Sequence, residues 1–89
     1  MTRSFETSVF VLVRNGKGVL AQVAAGVSMA EADIVHLGMD PEPAEETTEL
    51  RLLISVRDRI HLAEVLRTLR RSAVVLRVSR YRFGSSGAG

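Results

Sequence analysis

A four-stranded antiparallel sheet with two helices on one face is the α+β fold class this sequence predicts. Four short segments are rich in valine, isoleucine and leucine and too short for helices. Two longer segments repeat apolar residues at helical spacing. The elements come in the order strand, helix, strand, strand, helix, strand. With right-handed crossovers, this βαββαβ order places both helices on one face of the sheet, the ferredoxin-like arrangement. The first and third strands are then central, and the second and fourth are opposite edges.

Glu6–Val13 reads as the first strand, with Val9, Val11 and Val13 on one face and Phe10 and Leu12 on the other. Apolar residues on both faces suit a central strand. Arg14-Asn15-Gly16-Lys17-Gly18 is a turn, because Asn-Gly is a strong turn signal and glycine accepts positive φ. Leu20, Val23, Ala24, Val27 and Ala30 recur at helical spacing and define the first helix, Val19–Ala30, in which Gly26 costs up to about 1 kcal/mol. Asp33 marks the exit, and Ile34–Met39 reads as the second strand. Asp40–Glu46, with two prolines and four acids, is a loop. Thr48–Arg57 alternates most cleanly, with Leu50, Leu52, Ile54 and Val56 toward the core. Asp58 is the expected N-cap of a second helix, Arg59–Arg71, whose apolar stripe is Leu62, Val65, Leu66 and Leu69. Arg67, Arg70 and Arg71 stand in its last turn, where cations suit the helix dipole. Ala73–Phe83 reads as a fourth strand, with Val74, Leu76 and Val78 on one face and Val75 and Arg77 on the other. The domain thus spans residues 5–83, and Gly84–Gly89 reads as a flexible tail.

The chain has 89 residues, 46% of them hydrophobic and 25% charged, with a net charge of +2, which suits one small globular domain. Such a chain buries only about 60% of its unfolded surface, so a partner chain extending its core is an attractive source of stability. There is no cysteine, hence no disulfide, thiolate–zinc site or thiol nucleophile, a composition compatible with the cytoplasm. The apolar stretches Val9–Val13 and Val19–Val27 are shorter than the roughly 20 residues a membrane-spanning helix needs. The near-neutral charge conceals an asymmetry. Residues 31–50 hold seven acids and no base, whereas residues 65–89 hold six arginines and no acid.

Catalytic signatures are missing. There is no G-x-S-x-G elbow, no HExxH and no phosphate loop, and Gly16-Lys17-Gly18 is too short to be one. His36 reads as a strand residue at a sheet edge, and His61 with Glu64 as a solvated helix face. Glu45, Glu46 and Glu49 lie in or beside an exposed loop, where nothing raises a carboxyl pKa. A base-stacking platform is also disfavoured, because the third strand carries no aromatic residue and the whole chain has four. The arginines of the second helix and fourth strand form either a solvated basic face or a docking surface for phosphates. The turn Asn15–Gly18 exposes backbone N–H groups at a helix start, where carboxylates are favoured, beside the unpaired backbone of an edge strand. The same glycines are equally accounted for as turn formers.

Asn15-Gly16-Lys17-Gly18-Val19-Leu20, following an apolar strand, resembles the turn into the first helix of ACT domains, which are small-molecule regulatory modules. Asp33-Ile34-Val35-His36, Thr48–Ile54, Val56–Arg71 and Val75–Arg80 extend the likeness, which covers about Phe5 to Arg82. Together they resemble the C-terminal ACT domain of the RelA/SpoT family, the bifunctional (p)ppGpp synthetase/hydrolases of the bacterial stringent response. That resemblance implies a non-catalytic fragment needing no cofactor, which couples nutritional signals to a GTP pyrophosphokinase/(p)ppGpp hydrolase in the cytoplasm. It implies a homodimer that takes a small amino acid. The ligand contacts it implies are Asn15, Gly16, Lys17, Gly18, Val19 and Leu20, with Ile34, Val35 and His36 on the edge strand. The catalytic half of the parent enzyme and the ribosome are the other partners implied. The basic residues Arg67, Arg70, Arg71, Arg77 and Arg80 are the candidate docking set.

Overall fold

The computed structural model describes residues 4–39 and 46–80. Its elements are β1 (Phe5–Arg14), α1 (Val19–Met29), β2 (Asp33–Met39), β3 (Thr47–Val56), α2 (Arg59–Arg70) and β4 (Val75–Ser79). They build one sheet of order β2-β3-β1-β4, antiparallel throughout. The apolar β1 and the alternating β3 are its centre, as the pattern predicts. Most of the acidic loop, and the expected run of the last strand through Tyr81–Phe83 with the tail beyond it, lie outside the described residues.

The core is a single layer between sheet and helices. Val9, Val11 and Val13 of β1 and Leu50, Leu52, Ile54 and Val56 of β3 supply the sheet side, each at most 2% exposed. Val23 and Val27 of α1 and Val65 and Leu69 of α2 supply the helix side. Opposite the helices, Phe10, Leu12 and Leu53 are half-buried between exposed polar neighbours. Asp58 caps α2 as expected, its Oδ1 accepting the His61 N–H at 2.8 Å.

The structure departs from the sequence pattern in four places. The buried stripe of α1 is Val19, Val23 and Val27, whereas Leu20 and Ala24 are exposed. Positions four apart point along one line of the helix, and Leu20, one residue on, is turned about 100° toward the border of the sheet. In β4 the pairing with β1 shifts between Leu12 and Val13, so that Leu12 meets Arg77 and Val13 meets Val75. This bulge takes Leu76 off the core face, whereas Val78 is buried and Val74 and Val75 both pack against the core. The strand also begins later than expected, at Val75, because Ala73 and Val74 form a turn whose Val74 carbonyl accepts the Arg14 N–H at 3.0 Å. Finally, His61 is not on a solvated face but 2% exposed. Its Nδ1 accepts the Arg57 N–H at 2.9 Å, and its Nε2 lies 2.7 Å from the Ala30 carbonyl, so the ring carries its proton on Nε2. The imidazole thereby ties the end of α1 to the start of α2, next to an Arg57–Glu31 ion pair at 3.6 Å.

A second bulge lies in β2. Ile34 meets Ile54 and His36 meets Leu53, which leaves Val35 as the extra residue. Ile34 and Leu37 pack on the core, whereas Val35 and His36 are exposed on the edge strand.

Candidate functional site

Three chain segments meet at one end of the sheet. β1 ends there, α1 begins there, and antiparallel pairing brings the end of β2 and the start of β3 to the same place, with Met39 opposite Leu50 and Arg14 opposite Thr47. Backbone bonds fasten the junction, the Asn15 N–H reaching the Glu46 carbonyl at 2.9 Å. Gly18 is the residue that turns the chain into α1, with φ 76°, and its carbonyl accepts the first helical bond from Gln22 at 3.0 Å. A side chain there would be strained by the left-handed backbone alone, since an added Cβ meets nothing within 4 Å. Gly16 has no such need, its Cβ position lying at ordinary contact distance, 3.6 Å, from Val19.

The junction encloses a cleft of about 90 Å³. Its floor is the buried Val13, Val19 and Leu50, and its apolar rim is Leu20 and Met39, 42% and 55% exposed. Arg14, Asn15, Gly16 and Thr48 supply the polar side. Thr48 is buried, and its hydroxyl donates to the Asn15 side-chain oxygen. No side chain caps α1, and its first turn holds no acid. The positive end of the helix dipole thus lies beside the cleft that Val19 and Leu20 line.

Of the residues singled out from the sequence, Asn15, Gly16, Val19 and Leu20 line this cleft. Lys17 and Gly18 shape the turn without lining it. Ile34, Val35 and His36 stand toward the other end of β2, with Ile34 opposite Ile54 rather than beside the turn. Met39, Thr48 and Leu50 were not singled out. Met39 reaches the site through the β2–β3 pairing, and Thr48 and Leu50 through the β1–β3 pairing that sets Thr48 opposite Val13, so the strand register was the signal that would have found them.

The basic set divides. Arg70 and Arg77 border one groove of about 270 Å³ along β4, with Val75, Leu76 and Val78. Arg67 and Arg71 are exposed on and just after the last turns of α2. Arg80 is at the far end, where its Nη2 donates to Thr7 Oγ1 at 2.9 Å. It shares a second groove there with Arg59, Phe5 and Leu66. Among the described residues no three His, Cys, Asp or Glu side chains converge as a metal site, and no helix is long and apolar enough to cross a membrane.

Comparison with known proteins gives a family and a fold. The family model for the ACT domain matches residues 1–80. The crystal structure of the ACT domain from GTP pyrophosphokinase of Chlorobium tepidum superposes with a TM-score of 0.71 at 17% identity, covering 86% of this chain and 97% of that one. The solution structure of the same domain gives a TM-score of 0.68 at 17% identity, covering 85% and 84%. No curated protein matches the sequence.

Proposed function

We propose a regulatory role from one premise: the chain belongs to the ACT domain family, whose members are regulatory rather than catalytic modules. The domain serves a (p)ppGpp synthetase/hydrolase of the RelA/SpoT type and senses a small ligand in the cleft at the start of α1. The likeness to the Chlorobium GTP pyrophosphokinase domain supports the choice of parent enzyme.

One observation carries the sensing role. The cleft combines an apolar floor with an uncapped helix start, the pairing that holds a small molecule by its aliphatic part and its carboxylate. Amino acids are the simplest ligands of this shape. At about 90 Å³ the cleft is well below the roughly 300 Å³ at which complete ligand sites begin. A second copy docked along the β2 edge supplies the remaining wall, which couples ligand binding to dimerisation.

Calorimetric titration with a panel of amino acids and related small carboxylates tests this reading. Saturable heat is expected from at least one of them, and Leu20→Trp, which fills the cleft from an exposed position, removes it. A silent panel contradicts the reading. A docking role is favoured by one separate observation, the groove that Arg70 and Arg77 border together. In that role Arg70→Ala with Arg77→Ala lowers affinity for the catalytic half or for ribosomes and leaves small-ligand heats unchanged.

A further inference from the structure

Resting on the reading that a second copy docks along the β2 edge, we infer the register of that contact and the residues that fix it: Arg51 of each copy meets Asp33 of the other. A glycine weakens a strand interior, and it often marks the close approach of another group. At Gly38 that group is Arg51, its partner on β3. A Cβ built on Gly38 would lie 3.3 Å from Arg51 Nη2 and 3.6 Å from Nε. The guanidinium thus reaches across the edge strand, on the face away from the helices.

The face pattern of β2 is the same read from either end. Ile34 and Leu37 pair with Ile54 and Leu52 and pack on the core. Asp33 and Gly38 pair with Ser55 and Arg51 and lie on the opposite face. In a regular strand residues five apart point to opposite faces. The bulge at Val35 brings Asp33 and Gly38 to the same one. A two-fold axis between Val35 and His36 therefore sets Ile34 opposite Leu37 of the second copy, core face beside core face, and Asp33 opposite Gly38. A slip of one residue would turn the two core faces apart.

Directly opposed residues of antiparallel strands hold their Cβ positions about 4.5–5.5 Å apart. The Asp33 carboxylate of the second copy then stands beside the guanidinium that covers Gly38, within reach of an ion pair. Both side chains are exposed in the single chain. The two-fold axis makes the contact twice, once toward each end of the paired strands.

Sedimentation equilibrium of the whole chain and of charge-reversal variants, all at one ionic strength, tests the pairing. Arg51→Glu and Asp33→Arg should each weaken self-association by about tenfold, because each sets two like-charged pairs at the contact. An equimolar mixture of the two should associate about as tightly as the unaltered chain, since both contacts then join opposite charges. Mixing Asp33→Arg with Arg59→Glu, a reversal beside Phe5 and Arg80 rather than on β2, should not restore it. Thermal melts check that each variant folds, with Arg51→Gln and Asp33→Asn as milder replacements. Slowed amide exchange along β2 on association reads the edge contact by itself. A dimer with protected β2 that either reversal leaves intact, or a mixture no tighter than its components, overturns the Arg51–Asp33 register and leaves the edge reading standing. An unaltered chain that stays monomeric, or that associates with β2 still exchanging freely, overturns both.

Discussion

Gly18, Gly26 and His61 show how much single side chains decide. Gly18 holds the left-handed backbone that starts α1. Replacing it with alanine should cost roughly 1–2 kcal/mol from backbone strain alone, because the space beside it is open. Gly26 lies where α1 meets α2, yet a Cβ there is 3.5 Å from Leu69 Cδ2, an ordinary contact. Gly26→Ala therefore gains helix propensity without a clash and should stabilise the domain by about 0.5–1 kcal/mol, visible as a melting point higher by several degrees. His61 satisfies two backbone groups at once. His61→Ala leaves the Arg57 N–H and the Ala30 carbonyl without their partner and opens a cavity, at a cost of about 2–5 kcal/mol in denaturant unfolding. From the sequence this residue looks like surface, because Glu64 follows one turn later. Only the packing of the α1 end against the α2 start reveals that the ring is inside.

Elements of regular period were legible, and irregular ones were not. The alternation of Leu50, Leu52, Ile54 and Val56 predicts the core face of β3, and all four are buried. Asp58 predicts the start of α2, and its removal as Asp58→Ala should cost about 1 kcal/mol, with Asp58→Asn retaining most of the cap. The bulges at Val35 and Leu76 carry no comparable signal. A bulge inserts one residue where sheet twist and pairing demand it, and a run such as Val-Val-Leu-Arg-Val reads as simple alternation. The register now separates neighbours that the sequence grouped together. Leu76→Lys should change stability by less than about 0.5 kcal/mol, whereas Val78→Lys, which buries a charge, should be severely destabilising. Equal losses in both variants would place Leu76 back on the core face. The cleft was half legible for the same reason. The turn Asn15–Leu20 announces itself by its glycines, but Met39, Thr48 and Leu50 join it only when β3 pairs with both β1 and β2.

For the whole molecule, the strand order separates two kinds of charge. β2, which carries Asp33 and is followed in the sequence by an acidic segment, occupies one edge, and β4 with Arg77 occupies the other. Pairing of two copies along their β2 edges brings acidic segments together. This dimer should weaken when salt falls from about 300 mM to about 20 mM, a change that lengthens the Debye screening distance roughly fourfold. Sedimentation at the two salt concentrations reads the difference, and stronger association at low salt would indicate acidic-to-basic, head-to-tail contact instead. The account as a whole rests on the cleft being where the molecule meets its ligand. Backbone amide shifts during titration of the chain with the panel of amino acids and related small carboxylates measure that most directly. The account predicts saturable shifts concentrated at Gly16–Leu20, Met39 and Thr48–Leu50, with Ile34–His36 and Arg59 little changed. Shifts confined to the grooves that border Arg70 or Arg80, or no saturable shift at all, would contradict it.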